Sequence, residues 1–140
     1  MGFGLPGAIG AIMANNNKKR VLCITGDGGL MFNIQEIQTA LTHNLKLKLI
    51  IIDNQGYLTQ KLMMKKNFKV LAGADKKSGV IMPSFYKILK GFGVNTIILK
   101  NKNELRKKIK LLLKDDKLKA MIVKMDPFQP LIPRYQSKIN

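Results

Sequence analysis

Apolar and polar positions alternate along this chain in blocks whose period changes, and the changes mark its elements. Residues 5–14, Leu-Pro-Gly-Ala-Ile-Gly-Ala-Ile-Met-Ala, read as a small-residue helix with Pro6 in its first turn. Asn15 to Arg20 is a polar turn. Val21 to Thr25 is a short apolar run, which predicts a buried parallel strand. Ile34, Ile37 and Leu41 fall on one face of a helix over Ile34–His43, with Asn33 as its N-cap. Leu47 to Asp53 is a second strand, and Lys46 and Lys48 at its start mark where the chain leaves solvent. Gly56 to about Lys66 reads as a loop and then a helix carrying Leu58, Leu62 and Met63. Residues 72–83, rich in Gly, Ser, Lys and Asp, predict a surface loop. Ser84 caps a helix to about Gly91, Asn95–Leu99 is a third strand, and Leu105, Ile109 and Leu112 set an amphipathic helix over Asn103 to about Lys114. Ala120 to Met125 is a fourth strand.

Strands alternating with helices through short connections predict an α/β fold with a mainly parallel sheet and helices on both faces. One domain over residues 1–126 accounts for the pattern. Residues 127–140, with Pro127, Pro130 and Pro133, read as an extended tail.

Composition narrows the class. At 140 residues and 46% hydrophobic, the chain buries a real core and is not disordered. The one cysteine, Cys23, sits inside an apolar run as a small core residue, so no disulfide framework forms; the chain reads as intracellular, cytoplasmic. No apolar run approaches the roughly 20 residues that span a bilayer, and the first residues lack the charged region of a signal peptide. The net charge of +17 invites a nucleic-acid reading. Against it, the lysines are spread along the whole chain without interleaved aromatics, and the arginines are few: Arg20, Arg106 and Arg134. Solvated faces, or an acidic partner domain, account for the charge more simply.

The chemistry sits at two predicted strand ends. Gly26-Asp27-Gly28-Gly29 closes the first strand, and Asp53-Asn54-Gln55-Gly56-Tyr57 closes the second. The segment between Gly28 and Asp53 has the length of one helix and the return to a neighbouring parallel strand. In open α/β sheets, ligands bind at the carboxyl ends of strands. Glycines let backbone N–H groups approach an anion, and Phe32-Asn33 would open a helix whose positive end favours phosphate. Asp27 suits a hard cation, Asn54 adds an amide oxygen, and the Gly56 carbonyl adds a third oxygen. Alone, Gly-Asp-Gly is equally a tight turn after a strand; the Asn at the next strand end turns the balance toward a cation and a diphosphate. His43 reads as a helix C-terminal cap, and Glu36 as a structural hydrogen-bonding or helix-dipole residue. Tyr57, Leu58 and Gln60 either face substrate or pack.

These residues resemble the diphosphate-binding C-terminal domain of thiamine-diphosphate enzymes, in the acetolactate synthase and pyruvate oxidase branch. That family carries Gly-Asp-Gly followed, one helix and one strand later, by Asn-Asn; here it reads GDGGLMFNIQEIQTALTHNLKLKLIIIDNQGY. Met1 to Ala11 is similar to the branch almost word for word. Ser78-Gly79-Val80, Pro83-Ser84-Phe85 and Gly91-Phe92-Gly93 look like acetolactate-synthase-like proteins of surface-carbohydrate gene clusters.

The resemblance implies thiamine diphosphate and Mg²⁺ as cofactors. It implies Asp27, Asn54 and the Gly56 carbonyl as metal ligands, and Met1, Gly26, Gly28, Gly29 and Tyr57 beside the cofactor, with Met1 holding it bent. Asp53 stands where the family has its first Asn, and Gly29 where Ser or Ala is commoner. The resemblance further implies a 2-oxo acid substrate, decarboxylation or two-carbon transfer, a homo- or hetero-oligomer, and an activating glutamate on a pyrimidine-binding domain or subunit that this sequence lacks. The chain is therefore expected to be inactive alone. It would be a gene fragment, a non-catalytic truncated remnant, or one subunit of a split 2-oxo acid decarboxylase.

Overall fold

The computed structural model describes residues 1–130 and 132. The strands are β1 (Val21–Gly26), β2 (Leu47–Asp53), β3 (Asn95–Leu99) and β4 (Lys119–Lys124). They form one sheet in the order β1-β2-β4-β3, with every pair parallel. The helices are α1 (Gly4–Ala14), α2 (Asp27–Leu30), α3 (Glu36–Thr42), α4 (Leu58–Asn67), α5 (Phe85–Gly91) and α6 (Leu105–Leu112), with 3₁₀ turns at Lys76–Ser78 and Lys102–Glu104. The expected α/β fold with a parallel sheet is what forms.

The strand alternation splits the core in two. Cys23, Leu49, Ile51, Ala120 and Ile122 point one way and bury against Leu5 and Ile12 of α1, Ile37 of α3, and Phe85 and Leu89 of α5. Ile50, Ile97, Met121 and Val123 point the other way, where Ile109 and Leu112 of α6 cover them. Helices therefore lie on both faces. The polar turn after α1 is pinned by Asn17, whose amide donates to the Asn44 carbonyl at 3.2 Å and whose side-chain oxygen accepts from Lys46 N at 3.0 Å. That ties the starts of β1 and β2 together and fixes their register, Val21 opposite Leu47.

Several expectations are corrected. β1 is not buried on both sides: it is an edge strand, and Leu22 and Ile24 are 49% and 62% exposed on the face α6 does not reach. Lys48 does not sit at the solvent boundary; it is fully buried, and its Nζ donates to Asp115 Oδ1 and the Lys117 carbonyl. Asn33 caps no helix. Its amide donates to the Gly2 carbonyl at 2.9 Å, holding the N-terminus, and α3 starts later, with Gln35 in the capping position. The first helical turn after β1 is α2, at Asp27, and Phe32–Gln35 is turn. The 72–83 loop is partly internal: Ala74 is fully buried and Asp75 nearly so, with Asp75 and Ser78 forming a reciprocal cap. Most of the expected tail, residues 131 and 133–140, lies outside the described residues.

Candidate functional site

Because β1 and β2 are parallel neighbours, their carboxyl ends lie side by side, with Gly26 opposite Ile52. Asp27 follows one and Asn54 the other. Asp27 is 1% exposed. Its Oδ1 accepts from Gly28 N at 2.7 Å and its Oδ2 from Gly56 N at 3.0 Å, so one carboxylate joins both loops. Burial pushes the Asp27 carboxyl up from the ordinary range; the Gly56 and Gly28 N–H groups pull it back, and the Asp53 charge adds to the rise.

The Asn54 side-chain amide faces Asp27 Oδ1 at 3.2 Å and the Gly56 carbonyl oxygen at 2.8 Å. Turned with its nitrogen inward, the amide donates to both oxygens. Turned with its oxygen inward, it completes a set of three oxygens. Neighbouring ligands around an octahedral Mg²⁺, with bonds of 2.0–2.1 Å, stand about 2.9 Å apart. With its oxygen inward the donor set suits a small hard cation, while with its nitrogen inward the amide ties the two oxygens together by hydrogen bonds. Among the described residues no three His, Cys, Asp or Glu side chains gather as a metal cluster. This set instead draws on one carboxylate, one amide and one backbone carbonyl.

The surrounding backbone is shaped by absent side chains. Gly56 has φ +140°, and a Cβ there would come within 2.3 Å of the Ala74 carbonyl oxygen. Tyr57 N donates to that same oxygen at 2.8 Å, so the 72–83 loop backs the Gly56 turn. The Tyr57 ring lies over Gly28, where a Cβ would meet Cε1 at 2.4 Å. A Cβ on Gly29 would approach Thr25 Oγ1 at 3.1 Å, which suits glycine there.

A cavity of about 400 Å³ opens at these strand ends. Met1, Gly26, Asp27, Gly28, Gly29, Asn54, Gly56 and Tyr57, all marked in the sequence, line it. Met1 stands exposed at its rim. Leu58 and Gln60 also line it, from the first turn of α4. Ile52, Thr59 and Gln129 join them without any sequence signal to mark them. Ile52 is hidden inside an apolar strand, and Gln129 arrives from the far end of the chain. His43 sits at the end of α3, and Glu36 accepts from Thr39 Oγ1 within that helix at 2.8 Å; neither lines the cavity. A larger hollow, about 850 Å³, lies at the opposite ends of the strands beside Lys46, Asn95, Asp115, Asp116 and Lys119. Its carboxylates are spent on ion pairs, and no sequence-predicted site residue reaches it.

A family model described as the thiamine pyrophosphate enzyme C-terminal TPP-binding domain matches residues 1–123. The chain is 44% identical over 103 residues to acetolactate synthase isozyme 1 large subunit of Escherichia coli (strain K12), covering 72% of this chain and 17% of that protein. It is 32% identical over 139 residues to isozyme 2 large subunit of the same organism, covering 95% and 24%. It is 33% identical over 136 residues to a probable acetolactate synthase large subunit of Methanococcus aeolicus, covering 94% and 21%. The chain thus spans about a fifth of the length of these relatives.

Proposed function

The chain belongs to the family of thiamine pyrophosphate enzyme C-terminal TPP-binding domains, and on that basis we propose that it anchors the diphosphate of thiamine diphosphate through Mg²⁺, as one part of an acetolactate synthase-like enzyme acting on 2-oxo acids. Thiamine diphosphate and Mg²⁺ are the cofactors that this membership implies. One observation supports the assignment to particular residues: at the strand-end cavity the Asn54 amide stands 3.2 Å from Asp27 Oδ1 and 2.8 Å from the Gly56 carbonyl oxygen, each near the ligand–ligand spacing around Mg²⁺.

On this reading Asp27, Asn54 and Gly56 hold the cation. Gly26, Gly28 and Gly29 leave the backbone open for the diphosphate, while Met1 and Tyr57 give the cavity its apolar walls. Asp27 does double work, since the carboxylate that takes the cation also accepts the Gly56 N–H and so fixes the loop that presents the third oxygen. When bound, thiamine diphosphate supplies an acidic thiazolium carbon that acts as the nucleophile toward a 2-oxo acid. The activating glutamate belongs, in this reading, to a pyrimidine-binding domain or subunit, within a cytoplasmic homo- or hetero-oligomer that decarboxylates or transfers a two-carbon unit. No helix among the described residues is long and apolar enough to cross a membrane.

Thermal unfolding tests the reading. At about a hundredfold excess over Kd, a ligand of the folded state adds about 2.7 kcal/mol, several degrees for a chain of this size. Thiamine diphosphate with Mg²⁺ should raise the wild-type midpoint by that amount and leave Asp27→Ala unmoved. No shift in the wild type, or an equal shift in the variant, overturns it.

A further inference from the structure

The strand ends hold a second carboxylate. Asp53 closes β2, is 6% exposed, and immediately precedes Asn54. Its register partner on β4 is Lys124, whose Nζ donates to Asp53 Oδ2. The pair is unequal: the carboxylate is buried, while the lysine side chain is 44% exposed. A buried carboxylate is costly without a partner, and among the described residues Lys124 is the cation that reaches it.

Asp53 lies one residue past the last β1–β2 register pair, Gly26 with Ile52, and Asp27 opens α2 just beyond that pair, close enough for the Asp53 charge to act on the Asp27 carboxyl. On the cofactor reading, both charges then act on the cation that Asp27 would hold, within a Debye length of about 8–10 Å. Two uncompensated carboxylates favour a divalent cation and repel a diphosphate. A site that must take both needs an intermediate field.

We propose that Lys124 is a positioning residue that holds and neutralises Asp53, so that the site presents the charge of Asp27 alone and balances cation affinity against diphosphate affinity. The inference rests on the cofactor reading above. A rival role, a purely structural lock between β2 and β4, makes a different prediction, because losing a lock loosens the site toward every ligand.

The test is calorimetric titration of the full chain with two probes: MgCl₂ alone, and thiamine diphosphate at saturating Mg²⁺. Lys124→Met should bind Mg²⁺ about three- to tenfold more tightly and thiamine diphosphate weaker by a similar factor. Asp53→Asn should shift both the opposite way. The double variant Asp53→Asn/Lys124→Met should return to within about twofold of wild type, and added salt should shrink the shifts of the single variants. Asp53→Asn leaves no buried charge unpaired, so it carries the test should Lys124→Met fail to fold. Single variants that move both probes in the same direction, or move neither, overturn the inference. A wild type that binds neither probe overturns the cofactor reading as well.

Discussion

Gly56 bears a demand that its neighbours cannot share. Its φ of +140° is a conformation L side chains rarely adopt, and the Ala74 carbonyl oxygen fills the space where a Cβ would go. Gly56→Ala should destabilise the chain by about 2 kcal/mol or more, read as a lower midpoint in urea; an unchanged midpoint would show that the turn relaxes freely. Asp115 makes a different kind of prediction. Lys119, and behind it Lys48, hold its carboxyl at about 2, below the ordinary 3.8. A carboxyl depressed in the folded state contributes stability above its unfolded value, and that contribution is lost as pH falls through the folded value. The thermal midpoint of the wild type should therefore fall between about pH 4 and pH 2, and Asp115→Asn should flatten that part of the curve. Equal slopes would contradict the pairing. The candidate site is legible at this scale because its residue types, a carboxylate, an amide and glycines at two strand ends, line one cavity. Lys48 and Asn33 depart from their local pattern because their partners, Asp115 and the Gly2 carbonyl, come from distant segments that no local pattern reveals.

Elements carried a stronger signal than their surroundings. β2 runs from Leu47 to Asp53, as its apolar run dictates, and Ser84 caps α5 through Lys87 N at 3.4 Å. What the pattern does not contain is position in the sheet. Val21–Thr25 and Leu47–Ile52 look alike as apolar runs, yet one lies at an edge and the other in the middle, a difference set by the order β1-β2-β4-β3. Likewise α2 is hidden because Asp27-Gly28-Gly29 reads as loop, while the turn that follows β1 folds it into helix. One-sided burial of β1 has a measurable consequence. Ile12→Ala, in the α1 face packed beneath it, should cost about 2–5 kcal/mol. Leu22→Ala, on the open face, should cost under about 1 kcal/mol. Comparable losses in chemical denaturation would mean that the open face is covered in solution.

At the scale of the whole molecule, the net charge of +17 coexists with carboxylates that are almost all engaged. Asp53, Asp75, Glu104, Asp115 and Asp116 sit in ion pairs, and Asp27 is committed to the strand-end site. The surplus lysines are therefore largely a solvated surface, and the candidate site lies at one end of the sheet. There the parallel pairing of β1 with β2 converts two sequence motifs into one oxygen cluster. The most direct measurement is calorimetric titration of thiamine diphosphate into the wild-type chain, once with Mg²⁺ and once with EDTA. The account predicts saturable one-to-one binding with Mg²⁺ that disappears in EDTA. Absence of binding with Mg²⁺, or equal binding in EDTA, would contradict it.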